Sequence, residues 1–131
     1  MKSYLQITRF CIVWKDILLA RVLLTGGAGY IGSHTAIELL ESGHDVTIVD
    51  SFCNSSPVVL ERLKQISGRD ITCERGDIRD SDFLSKLFTS HQIDAVVHFA
   101  ALKAVGESCE KPLAYFDNNI SGTISLLQQM R

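Results

Sequence analysis

From Arg21 onward, short apolar runs alternate with segments of helical periodicity. RVLLT (21–25) is an apolar run that stops at glycine, which predicts a buried strand. Residues 29–42 place Ile31, Thr35, Leu39 and Leu40 near helical spacing, and Gly43 closes that helix. DVTIVD (45–50) is β-rich and apolar and predicts a second strand. VVLERLKQI (58–66) follows Pro57, a residue suited to a first helical turn, and reads as a helix. ITCER (71–75) alternates weakly and gives a third strand. Asp80 or Ser81 can cap a helix through about Ser90, with Phe83, Leu84, Leu87 and Phe88 on one face. DAVVHFAA (94–101) predicts a fourth buried strand, and Pro112 opens a last helix running toward the C-terminus.

Strands and helices alternating at this spacing make β-α-β units. The fold expected is therefore α/β, a doubly wound parallel sheet of Rossmann type with helices on both faces. A full dinucleotide fold of this kind uses about six strands, so the pattern predicts a sheet truncated after about four. An apolar edge in DAVVHF is then left unpaired, helices meant to pack on further strands show bare faces, and the chain is expected to associate and to be marginal in stability.

Residues 1–20 stand apart as an N-terminal extension of unknown role. Their basic start and apolar FCIVW suggest a signal peptide, but Lys15 and Asp16 interrupt the run and no small-residue cleavage site follows. No stretch reaches the roughly 18 to 20 apolar residues that span a bilayer, so neither export nor a membrane span is expected.

Apolar residues make up 46% of the 131, enough for a core. A net charge of −2 with mixed signs gives no electrostatic case for nucleic acid or an anionic membrane. Cys11, Cys53, Cys73 and Cys109 are widely spaced with no C-x-x-C, which suggests reduced thiols and a cytoplasmic protein. His34, His44 and His91 are scattered and imply no metal site. His98, within an apolar strand, reads as a satisfied core residue rather than a catalyst.

The chemistry lies in TGGAGYIGSH. Gly27-x-Gly29-x-x-Gly32 satisfies the dinucleotide fingerprint, and Gly26-x-x-Gly29-x-x-Gly32 overlaps it. Glycines permit a tight turn and let the main chain approach a pyrophosphate, while the helix N-terminus offers unpaired N–H groups. The loop follows a strand and opens a helix, the context such a motif needs. Asp50 ends the second strand roughly 20 residues on, where an acid bonds the adenosine ribose hydroxyls and repels a 2′-phosphate. That favours NAD over NADP, although a turn-capping aspartate is the alternative role. Asp77, after the third strand, could reach an adenine edge or merely hold a turn. HFAALK (98–103) ends the fourth strand, at the switch point where such sheets bind ligands.

TGGAGYIGSH, VD-x-x-CNSS, GDIRD, HFAALKAVGES and KPLAYFDNN stand in an order and spacing that closely resemble the N-terminal half of the UDP-glucose 4-epimerase family, extended short-chain dehydrogenases/reductases. The resemblance runs from Arg21 to Arg131. It implies that NAD takes a hydride from C4 of a UDP-hexose and returns it to the other face. It also implies a set of cofactor contacts: Gly26, Gly29, Tyr30, Ile31 and Gly32 at the pyrophosphate; Asp50, Ser51, Phe52, Cys53, Asn54 and Ser55 around the ribose; Asp77 and Ile78 at the adenine. Phe99, Ala100, Ala101, Leu102 and Lys103 would line the cofactor near its centre, and Asn118 would approach from the last helix. Lys103 fits an electrostatic role near the nucleotide. A homodimer through helices of the cofactor domain is a further implication.

Ala101 stands where many members carry glycine, and residues 1–20 have no family counterpart. The family's base is a tyrosine in Tyr-x-x-x-Lys. Here Thr8, His34 and Asn119 stand four residues after Tyr4, Tyr30 and Tyr115, so no catalytic residue is expected in this chain. Residues 21–131 are thus expected to be an incomplete NAD-binding domain, with its C-terminal part and substrate domain absent. The alternative reading is a catalytically inactive NAD-binding fragment or the product of an interrupted gene.

Overall fold

The computed structural model describes residues 19–131. Four strands, β1 (Arg21–Thr25), β2 (Asp45–Asp50), β3 (Thr72–Arg75) and β4 (Ala95–His98), form one parallel sheet in the order β3-β2-β1-β4. This is the doubly wound arrangement expected from the sequence. The extension expected over residues 1–20 lies, as far as residue 18, outside the described residues.

The central strand β1 is buried on both faces because Leu23 and Leu24, adjacent in sequence, point to opposite sides of the pleat. On one side Val22, Leu24, Val46 and Ile48 pack against Ala36 and Leu40 of α1 (Tyr30–Glu41) and Leu63 of α2 (Val58–Ser67). On the other, Leu23 and Val49 meet Leu84 and Leu87 of α3 (Ser81–Ser90), with Leu126 from near the C-terminus. The sheet is thus a middle layer that neither helical layer could replace. An ion pair of 2.8 Å between Arg21 and Asp94 ties the entrances of β1 and β4 together.

The helices start and stop for local reasons. Asp80 is the N-cap of α3, its carboxylate accepting from the Phe83 N–H at 2.9 Å. Gly68 closes α2 in the left-handed conformation that glycine adopts without penalty. In α1 the inward stripe is Gly32, Ala36 and Leu40 rather than the larger residues that periodicity favours, and Ile31 is 51% exposed. Small side chains at the start of α1 let its axis approach the sheet, so the residues that matter there carry little apolar signal.

Two other expectations change. The fourth strand ends at His98, and residues 99–104 leave the sheet as a loop. A short helix, α4 (Val105–Glu110), precedes Pro112 and is absent from the sequence reading. The last helix is not uniform: α5 (Pro112–Phe116) widens into a π-helical turn at Asp117–Ser121 before continuing as α6 (Gly122–Gln129). The backbone stays right-handed helical throughout. A π turn adds a residue to the helical circuit and is common at functional sites.

Candidate nucleotide site

All four strands end at one edge of the sheet, and a cavity of about 260 Å³ opens there. Its wall is built from the strand ends and the segments that follow them: Gly26, Gly29 and Tyr30 after β1, Val49 and Asp50 at the end of β2 with Ser51, Cys53 and Asn54 after it, Gly76 through Ile78 after β3, and Phe99 through Lys103 after β4. Asn118 reaches the cavity from the π turn. Ligands bind at this edge in open α/β sheets, where β1 and β4 diverge.

The turn after β1 is held close to the neighbouring strands. The Gly26 N–H donates to the Val49 carbonyl at 2.7 Å, and Gly26 has φ +67°. A Cβ there would lie 2.7 Å from the Ala100 nitrogen. At Gly32 a Cβ would come within 2.4 Å of the Gly26 carbonyl oxygen. Only glycine lets the loop fold beneath the helix start at these two positions. No side chain caps the N-terminus of α1, so its first-turn amides are available to an anion.

Asp50 is the hub of the second segment. One carboxylate oxygen accepts from the Ala28 N–H at 3.0 Å; the other accepts from the Phe52 N–H at 2.9 Å and the Ser55 hydroxyl at 2.8 Å. The side chain is 6% exposed. These bonds use three of about four acceptor positions on a carboxylate. Asp50 therefore organises the loop, the turn-holding role the sequence offered as the alternative, and it also lines the cavity. To bring Ser55 back to Asp50, the chain reverses at Phe52, which adopts a positive φ of 57° that β-carbon-bearing residues disfavour.

Asp77 likewise has a structural task. It accepts from the Arg79 backbone N–H at 2.9 Å and pairs with the Arg79 guanidinium at 2.6 Å, while Arg79 also reaches Asp117 at 2.8 Å. Arg79 thereby joins the loop after β3 to the π turn. Its side-chain hydrogen bond holds the Asp77 carboxyl below the usual carboxylate range.

Four residues expected at the site do not line the cavity. Gly32 packs on Gly26, Phe52 and Ser55 bond to Asp50, and the Ile31 side chain faces solvent. Val49 and Gly76 line the cavity without having been singled out. Each sits beside a predicted position, Val49 before Asp50 and Gly76 before Asp77, so strand ends were the available signal. His98 does not line the cavity, and both its ring nitrogens are in contact with hydroxyls, at 2.5 Å to Thr25 and 3.0 Å to Thr123. Burial lowers its tendency to take a second proton. Among the described residues, no group of three or more His, Cys, Asp or Glu side chains is placed to hold a metal ion. No helix among them is long and apolar enough to cross a membrane.

Comparison with known proteins places this geometry in context. The family model described as GDP-mannose 4,6 dehydratase matches residues 23–131. A UDP-glucose 4-epimerase of Neisseria meningitidis serogroup B is 53% identical over 110 residues, covering 84% of this chain and 32% of that protein. One from Klebsiella pneumoniae is 50% identical over 111 residues, covering 80% of its length. The crystal structure of UDP-glucose 4-epimerase from Bifidobacterium longum in complex with NAD+ and UDP superposes with a TM-score of 0.82 at 53% identity, over 84% of this chain and 33% of that one. The enzyme from Stenotrophomonas maltophila, with bound NAD and formylated UDP-arabinopyranose, superposes equally well at 56% identity. The chain spans about a third of the length of most curated relatives it matches.

Proposed function

The chain belongs to the GDP-mannose 4,6 dehydratase family and is homologous to the N-terminal third of UDP-glucose 4-epimerases, and from that premise we propose that its cavity holds NAD in the service of UDP-hexose 4-epimerisation. The observation that carries this reading is the convergence of the uncapped α1 N-terminus, the glycine turn and the buried Asp50 on one cavity. A Cβ at Gly26 would collide with the Phe99–Ala100 backbone of the cavity wall, so glycine lets the turn close on that wall, and Asp50 keeps an acceptor for a ribose hydroxyl. These residues fit a dinucleotide.

The first-turn amides of α1 would hold the pyrophosphate. Asp50 would orient the adenosine ribose, with the loop from Ser51 to Ser55 fixed by the Asp50 bonds. Its negative charge opposes a 2′-phosphate, which favours NAD over NADP. Asp77 and Ile78 would border the adenine. Phe99 to Lys103 and Asn118 would line the central part of the cofactor, where Lys103 adds positive charge near the phosphates. When bound, NAD supplies the hydride acceptor and donor for sugar C4. The sequence in hand contains no Tyr-x-x-x-Lys, so the part assigned to these residues is to bind and orient the cofactor rather than to move the sugar proton.

Calorimetric titration of the 131-residue chain with NAD+ and with NADP+ tests the assignment. Saturable NAD+ binding, weaker binding of NADP+, and a loss of that preference in Asp50→Asn are expected. NADP+ binding as tightly as NAD+ would remove Asp50 from the ribose role, and no heat from either nucleotide on folded protein would remove the cofactor.

A further inference from the structure

The half-buried His98 imidazole belongs to a chain of hydrogen bonds between a backbone amide and a backbone carbonyl. At one end, the Ala100 backbone N–H can only donate, and it points at the Thr25 hydroxyl oxygen at 3.4 Å. At the other, the Asn119 carbonyl can only accept, and the Thr123 hydroxyl lies 2.6 Å from it. Two oxygens at that separation need a proton between them, so the single Thr123 proton is committed to Asn119. Thr123 must then accept from His98 Nε2, 3.0 Å away. His98 therefore carries a proton on Nε2, and in the neutral ring its bare Nδ1 accepts from the Thr25 hydroxyl at 2.5 Å. Every member of the chain donates once, all in the same sense.

The chain ends on residues that shape the cavity. Asn119, whose carbonyl receives the last bond, clamps Leu102 with its side chain: its Oδ1 accepts from the Leu102 N–H at 2.8 Å, and its Nδ2 donates to the Leu102 carbonyl at 2.8 Å. The same Oδ1 accepts from Asn118 Nδ2 at 2.9 Å. Ala100, Leu102 and Asn118 all line the cavity. Asn118 and Asn119 both lie in the π turn, and Thr123 follows it in α6.

We propose that His98 is a positioning residue: as a neutral Nε2–H imidazole between Thr25 and Thr123, it locks the loop 99–103 to the π turn and so fixes the cofactor-facing wall. The part of this inference that concerns nucleotide affinity rests on the NAD reading above; the locking itself does not. Burial of His98 supports the neutral form.

Long-range ¹H–¹⁵N correlation spectra of the 131-residue chain read the tautomer. A bare Nδ1 and a protonated Nε2 are expected, holding at pH values below the ordinary histidine range of about 6.5. An Nδ1–H tautomer, or ordinary titration near that value, overturns the proposal. Amide exchange reads the lock. Thr123→Val removes the hydroxyl at nearly constant volume, whereas Thr123→Ser keeps it. Faster exchange at the Leu102 amide is expected in the valine variant relative to Val97 in the neighbouring strand, with the serine variant restored to the parent. Equal exchange at Leu102 in all three chains overturns the lock.

In the same variants NAD+ affinity should fall about five- to tenfold for valine and stay near the parent for serine, as expected for loss of one internal hydrogen bond. If the parent chain binds no NAD+, the cofactor reading fails, and the tautomer and exchange results still decide the lock. His98→Gln, which keeps a donor toward Thr123, should recover more Leu102 protection than His98→Leu, and identical behaviour of these two variants counts against the histidine.

Discussion

Asp50 has the most consequential side chain in the site because it bonds two backbone amides and one hydroxyl while nearly buried. Asp50→Ala would leave the Ala28 and Phe52 amides without their partner, at a cost of about 2–4 kcal/mol for the pair. The thermal midpoint should fall even without nucleotide; an unchanged midpoint would mean water replaces the carboxylate fully. The cysteines give an independent readout of the site. Burial, with the nearby Asp50 and Glu74 charges, pushes the Cys73 thiol up to about 11, whereas Cys53 is exposed on the cavity wall. Iodoacetamide followed by peptide mass spectrometry should label Cys53 and spare Cys73, and NAD+ should slow labelling at Cys53. The glycines and Asp50 were legible in the sequence because their chemistry depends on residue type and spacing. Asn119 was not: its clamp on Leu102 spans two elements whose meeting depends on the fold, and nothing in DNN separates it from its neighbour Asn118.

At the scale of elements, the first three strands were read closely because each stops at or just before a glycine or an aspartate, whereas the apolar run of the fourth continues past His98 into a loop; the Asp80 cap marked the start of α3. Asp80→Ala should destabilise by about 1 kcal/mol, the usual value of such a cap, measurable by urea unfolding. The π turn left no trace in apolar periodicity, since every residue from Asp117 to Ser121 escapes full burial. Its anchor to the loop after β3 is Arg79, which pairs with Asp77 and Asp117. Asp77 is held below the usual carboxylate range by Arg79, and Asp94 is lowered to about 2 by Arg21. The folded state therefore binds fewer protons than the unfolded chain across that window. The stability these pairs contribute is present above pH about 4 and lost as pH falls toward 2. Because the pairs are exposed, Arg79→Met should cost less than about 1 kcal/mol at neutral pH. It should also make the Asp77 part of the acid loss disappear, so the stability curve below pH 4 flattens. A circular-dichroism acid titration of both chains decides this.

At the scale of the whole molecule, one face of the structure has no cover among the described residues. Leu113, Phe116, Ile120, Ile124 and Leu127 follow the helix from Pro112 to Gln129, and Leu113 and Phe116 are 82% and 60% exposed. A contiguous apolar stripe of this kind is rarely left to water. The sequence pointed to two association hazards, the edge strand DAVVHF and bare helical faces; β4 is short and half-buried, and the larger bare surface is helical. Helical faces are hard to assign from one sequence because apolar spacing does not say which neighbour fills them. The 131-residue chain should therefore sediment as concentration-dependent oligomers, and Leu113→Glu with Phe116→Glu should shift it toward monomer; a parent that stays monomeric at high concentration would show that the stripe is harmless. The cavity lies at the other end of the argument, where all four strands finish together. The most direct measurement is the map of amide shifts in ¹⁵N-labelled chain on addition of NAD+. The account predicts saturable changes clustered at Gly26 to Gly32, Asp50 to Ser55, Asp77 and Ile78, and Phe99 to Lys103, with β-strand entrances such as Arg21 and Asp94 silent. Shifts scattered over the surface, or none in a folded chain, would contradict it.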